Sequence, residues 1–114
     1  MTLFGIANCD TVKKSRAWFD AEGIAYQFHD FKKQGVPEEA LREWVQAIGW
    51  EALLNKKGTT WRKLDAATQA DVIEAESAIS IMLTHSSTIK RPVATYGVQV
   101  TVGYAPVAWE SFKS

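Results

Sequence analysis

Leu3-Phe4-Gly5-Ile6-Ala7-Asn8-Cys9-Asp10-Thr11-Val12-Lys13-Lys14-Ser15-Arg16-Ala17-Trp18 runs from an apolar stretch through a short polar turn into a helical pattern. Residues 3–6 read as a buried strand. Residues 7–11 form a turn in which Asp10 and Thr11 are both helix-capping types. Residues 12–22 read as a helix stopped by Gly23. Residues 24–31 then alternate, with Ile24, Tyr26 and Phe28 on one face, as a second strand does. Strand, helix and strand in this order imply a crossover unit with parallel strands.

The rest of the chain extends that unit. Residues 32–35 read as a loop, and Pro37 suits the first turn of a helix. Leu41, Trp44, Val45 and Ile48 fall at i, i+3, i+4 and i+7, the clearest helical stripe in the sequence. Gly49 ends it, and Trp50, Leu53 and Leu54 add another helical turn or two. Residues 56–60 break the pattern. Thr68 and Asp71 resemble a capping box for a helix over residues 69–75. Ile79, Met82 and Leu83 share a face of a further helix, and residues 86–88 read as a loop. Residues 92–96 and 98–102 flank Gly97 as a tight antiparallel hairpin. Pro106 starts a last helix with Trp109 and Phe112 turned inward. The order predicts an α/β domain over residues 1–114: a thioredoxin-like, four-stranded mixed sheet with flanking helices and an all-helical insertion at about 36–86.

Composition narrows the function. The 114 residues suit one domain with a real core. They carry 13 basic and 13 acidic side chains, so formal net charge is zero and the electrostatic footprint of a nucleic-acid binder is missing. One cysteine cannot form an internal disulfide. No apolar run approaches the ~20 residues of a membrane span, and no signal-peptide pattern opens the chain. The expectation is a cytoplasmic protein with no membrane or nucleic-acid partner, and nothing in it requires more than a monomer.

Cys9 stands between the first strand and the first helix. A helix N-terminus offers unpaired N–H groups and about half a positive charge, and both favour a thiolate. Lys13, Lys14 and Arg16 follow within two turns. Val12 occupies the place where a Cys-x-x-Cys motif carries its second cysteine, so turnover needs an outside thiol. Arg62 and Arg91 are candidates for holding an anion, since arginine binds carboxylates and oxyanions bidentately. His29, on the outward face of the second strand by alternation, and His85, at a helix end, read as structural or surface residues. The tryptophans sit mostly at stripe positions and read as core. Two histidines and one cysteine, widely spaced, make no metal-ligand pattern, and no metal is expected.

Residues 8–18 resemble the opening of the ArsC/Spx family, closest to its bacterial, single-cysteine YffB-like branch. Gly58-Thr59-Thr60-Trp61-Arg62 resembles the family's loop arginine, Lys90-Arg91-Pro92-Val93 its Arg-Pro segment, and Val102-Gly103-Tyr104 the segment closing the sheet. The resemblance covers essentially the whole chain in order. It implies that Cys9 is the nucleophile and that Arg62 and Arg91 bind the anion, with Lys13 and Arg16 adding charge. It also implies a cis Arg91–Pro92 peptide and a structural part for Asn8 and Thr11 around the cysteine. In family arsenate reductases a cysteine attacks arsenate, arginines hold the oxyanion, and glutathione and glutaredoxin complete the reduction.

The chain departs from those reductases in three places. Gly5 stands where they carry a histidine four residues before the cysteine. Their third arginine is replaced near Tyr104. Their turn after the cysteine is shorter and more polar. The smaller cationic set matches one carboxylate-bearing partner such as glutathione better than a fully enclosed oxyanion. The resemblance therefore implies a small glutathione-dependent thiol reductase. The alternatives are an arsenate reductase, or an Spx-like regulator that binds the C-terminal domain of the RNA polymerase α subunit. Most Spx proteins switch through Cys-x-x-Cys, which Val12 removes.

Overall fold

The computed structural model describes residues 1–113. They divide into a sheet unit, residues 1–34 and 91–113, and a helical unit, residues 35–90. In the sheet unit, β1 (Thr2–Gly5) leads through a turn into α1 (Asp10–Ala21), then β2 (Gln27–Asp30) and α2 (Phe31–Gln34). The chain re-enters this unit at Arg91 and forms β3 (Val93–Tyr96), β4 (Gln99–Val102), α8 (Pro106–Trp109) and a 3₁₀ turn (Glu110–Lys113). The sheet has strand order β2-β1-β3-β4. β1 and β2 run parallel, with Leu3 opposite Phe28, and the other two pairings are antiparallel, with Leu3 opposite Ala94. This is the four-stranded mixed sheet with flanking helices that the element order predicts.

Alternation along β1 decides what covers each face. Leu3 points into the cluster of Phe19, Ala94, Trp109 and Phe112, all buried. Trp109 is fully buried, its ring 4.6 Å from Phe19 between centroids, and its Nε1–H donates to Thr101 Oγ1 at 2.8 Å. That bond satisfies the one polar group a buried indole carries. Phe4 points the other way, against His29 (5.2 Å) and Phe31 (6.4 Å). His29 is therefore half-buried among aromatic rings rather than turned outward, because the sheet carries apolar side chains on both faces. The second strand is shorter than expected: Phe31 buries its ring as the first residue of α2, and Asp30 Oδ1 accepts from Lys32 N at 2.9 Å where a loop was expected.

The helical unit holds α3 (Glu38–Ile48), α4 (Trp50–Leu53), α5 (Thr59–Lys63), α6 (Ala66–Ala70), α7 (Ala75–Thr84) and a 3₁₀ turn (Ser86–Thr88). The stripe on α3 buries Leu41 and Trp44, and Gly49 ends the helix at φ 86°. Arg42 joins α3 to α7 through Glu38 (3.0 Å) and Glu76 (2.7 Å), both exposed pairs. Three expectations need correction here. The 3₁₀ turn replaces the loop over residues 86–88. Thr59 and Thr60, expected to lie in a break, instead open the helix Thr59–Lys63, which buries Trp61. The helix expected over 69–75 runs instead over Ala66–Ala70, capped by Asp65, whose Oδ1 accepts from Thr68 N at 2.7 Å. The capping box lies one element later, between Glu74 and Ser77 at the start of α7.

Candidate active site

β1 ends at Gly5, and residues 6–9 carry the chain round to the start of α1. Cys9 is the N-cap residue of that helix, with extended backbone (φ −134°, ψ 124°), and its carbonyl accepts the first helical bond from Lys13 N at 2.9 Å. A capping serine or aspartate would accept from the amides two and three residues on. In this chain the N-cap side chain is a thiol, which makes no capping hydrogen bond but stands near the amides of Thr11 and Val12. Burial of the half-exposed thiol would raise its pKa. The Val12 amide, the hydrogen bond and charge of the Arg91 side chain, and the Thr11 amide outweigh that effect and hold it below the ordinary thiol value. A thiol shifted in this direction and half-open to solvent is a readier nucleophile than an ordinary cysteine.

Arg91 precedes β3, and the Arg91–Pro92 peptide is cis. Pro92 is fully buried, and its carbonyl accepts from Gly103 N at 2.8 Å, which ties the start of β3 to the end of β4. Gly103 has φ 76°, a conformation that favours glycine. Tyr104, the next residue, lies edge-on to Trp109 at 5.6 Å, and the Lys14 ammonium stands 4.1 Å above its ring. The sequence offered no signal for that pairing beyond the two residue types.

The anticipated site residues are distributed unevenly. Cys9 and Arg91 come together. Thr11 contributes its amide, while its carbonyl accepts from the buried Ser15 hydroxyl at 2.7 Å. Asn8 is exposed in the turn, and Lys13 is exposed one helical turn after Cys9. Arg16 is committed elsewhere: its Nε donates to the Tyr26 hydroxyl at 3.1 Å, and its guanidinium stacks on Phe28 at 4.3 Å. That aromatic contact holds the charge toward β2, away from its expected part in the anion site. Arg62 belongs to the helical unit, exposed in the last turn of α5. Ser15 was not anticipated. A serine inside an amphipathic helix, on its apolar face, is the signal that could have found it.

Gly5 and Val12 complete the local geometry. Val12 is fully buried, and a Cβ at Gly5 would stand 2.8 Å from its Cγ2. Among the described residues no three histidine, cysteine, aspartate or glutamate side chains are grouped to hold a metal, and no helix is long and apolar enough to cross a membrane.

A family model described as the ArsC family matches residues 4–112. The solved structure of the YffB (PA3664) protein is similar at 45% identity, covering 99% of this chain and 98% of its own, with a TM-score of 0.93. An arsenate reductase (ArsC) related protein from Brucella melitensis is 42% identical over 97% of this chain and 92% of its own, with a TM-score of 0.75. An uncharacterized protein from Haemophilus influenzae is 33% identical over 104 residues, 91% of this chain and 90% of its own.

Proposed function

The chain belongs to the ArsC family, and from that premise we propose that it is a monothiol oxidoreductase whose outside thiol is glutathione. The observation that carries this reading is the pairing of an activated Cys9 with Val12 in the place of a resolving cysteine. The Cys9 thiolate attacks the glutathione sulfur of a mixed disulfide R–S–SG. The S–S bond breaks, R–S⁻ leaves and takes a proton from water, and Cys9–S–SG forms. A second glutathione, as its thiolate, attacks the glutathione sulfur of that adduct. It releases the Cys9 thiolate and glutathione disulfide, so the net exchange is R–S–SG plus one glutathione giving R–SH plus glutathione disulfide, the disulfide bond passing from the substrate to glutathione. Arg91 supports the reading twice: it favours the thiolate before attack, and it restores it as the leaving group afterwards.

Arsenate fits less well. Val12 blocks any side chain at Gly5, where the reductases carry histidine, and the Tyr104 region supplies a phenol and an ammonium instead of a third arginine. Mass spectrometry of protein treated with glutathione disulfide, with Cys9→Ser as control, tests the proposal. A single glutathione adduct on Cys9, removed by added glutathione, is the expected result. No adduct at Cys9 would sink it. Capture of the RNA polymerase α subunit, without turnover of mixed disulfides, would favour the regulator reading.

A further inference from the structure

The helical unit contains an open cavity of about 490 Å³ that the thiol chemistry does not use. Its lining comes from two segments held together by backbone. Asn55 N donates to Thr88 O and Lys90 N donates to Leu53 O, both at 2.7 Å, around a bridge between Leu54 and Ile89. This short ladder fixes Leu54, which is nearly fully buried, as the floor, and sets Trp50 beside it as an apolar wall. The size is ordinary for a small-molecule site, as is a mostly apolar lining with a few charged groups.

The charged groups are lysines. Lys56, Lys57 and Lys90 line the cavity and are exposed, with Glu51 as the single acid. None of the three lysines has a carboxylate partner at ion-pair distance among the described residues. Lys56 is held in place nonetheless, its ammonium 5.7 Å from the Trp50 ring centroid and 5.6 Å from that of Trp61. Two aromatic faces thus steady a cation at the mouth of an apolar cavity. The next turn is fixed by Asn55 Oδ1, which accepts from Lys57 N at 3.1 Å.

We propose that this cavity binds a small aromatic carboxylate, its ring over Leu54 beside Trp50 and its carboxylate among Lys56, Lys57 and Lys90. A bare inorganic anion would leave the apolar floor and wall uncovered. A neutral aromatic would cover them but leave the lysines without a counter-charge. Only a molecule with both parts answers both features.

Titration of the full chain with 1-naphthoate, followed by amide NMR shifts, tests this. Saturable shifts at Leu54, Asn55 and Lys90 are expected, with none at Cys9. The uncharged 1-naphthalenemethanol is expected to bind at least about tenfold more weakly, and a Lys56→Gln/Lys90→Gln variant to lose affinity for naphthoate by a similar factor, a modest difference for removing two exposed charges. The dispersion of the variant's spectrum shows whether it is folded, and Lys63→Gln serves as a charge control on the same unit. Absence of saturable shifts would overturn the proposal. So would equal binding of the alcohol, or unchanged affinity in the double variant.

Discussion

Gly5 and Val12 face one another so closely that a methyl group on the glycine would lie 2.8 Å from Cγ2 of the valine. Val12 is β-branched and fully buried, so it cannot swing aside. Gly5→Ala should therefore destabilise the protein by about 1–3 kcal/mol, the usual cost of overpacking a core. Trimming the partner in the Gly5→Ala/Val12→Ala double variant should recover part of it. Urea denaturation of the two single variants and the double gives the coupling, and purely additive losses would refute the steric account.

Cys9→Ser should keep its stability and lose all adduct formation. Serine is a good N-cap, and its hydroxyl can accept from the same amides that now face the sulfur. Thermal melts and mass spectrometry report the two effects separately.

Cys9→Ala should lower stability at alkaline pH, because it removes the thiolate that the Arg91 guanidinium and the Val12 and Thr11 amides stabilise in the folded protein. The sign follows from linkage. The folded thiol titrates below the unfolded one, so its stabilisation is fully present above the unfolded value and is lost as pH falls through the folded one. The stability gap between wild type and Cys9→Ala should accordingly shrink on acidification. A gap that widens instead would contradict a thiolate stabilised by the fold.

Arg91→Gln should raise the Cys9 pKa toward the ordinary ~8.5, since it removes a charge and a charged hydrogen-bond donor while the amides of Val12 and Thr11 remain. The pH profile of iodoacetamide alkylation should move to higher pH. An unmoved profile would leave the helix amides as the sole activators.

Trp109→Ala should cost about 3–5 kcal/mol, because it empties the centre of the sheet unit's aromatic cluster and leaves Thr101 without its donor. Arg42→Ala should cost little stability despite two ion pairs, since all three side chains are exposed to solvent. Denaturant melts rank the two, and the Arg42 effect should diminish further in high salt.

Long periodic segments were legible in the sequence, and short ones were not. The stripe from Leu41 to Ile48 and the hairpin about Gly97 each carry several turns or pairs of evidence. Four- and five-residue helices such as α5 and α6 carry no full period, so local chemistry decides them, and Asp65 caps where Thr68 offered an equally good pattern. The place of Cys9 could be read because a strand, a turn and a helix follow in order. Its contact with Arg91 is tertiary, and only the resemblance pointed to it. Arg16 misled because seven residues after Cys9 it returns to the same helix face, while the Tyr26 and Phe28 rings that capture it come from another element.

The route of the chain has a consequence for the thiol during synthesis. Residues 35–90 separate Cys9 from Arg91, and the central strand pair joins Thr2 to Thr95. A chain emerging from its N-terminus makes the helical unit, whose contacts are local, before β3 exists to dock beside β1. Until then Cys9 lacks its guanidinium. The nascent thiol thus has the amides of its own helix but not the Arg91 charge, and that last support for its thiolate arrives only with the closing of the sheet.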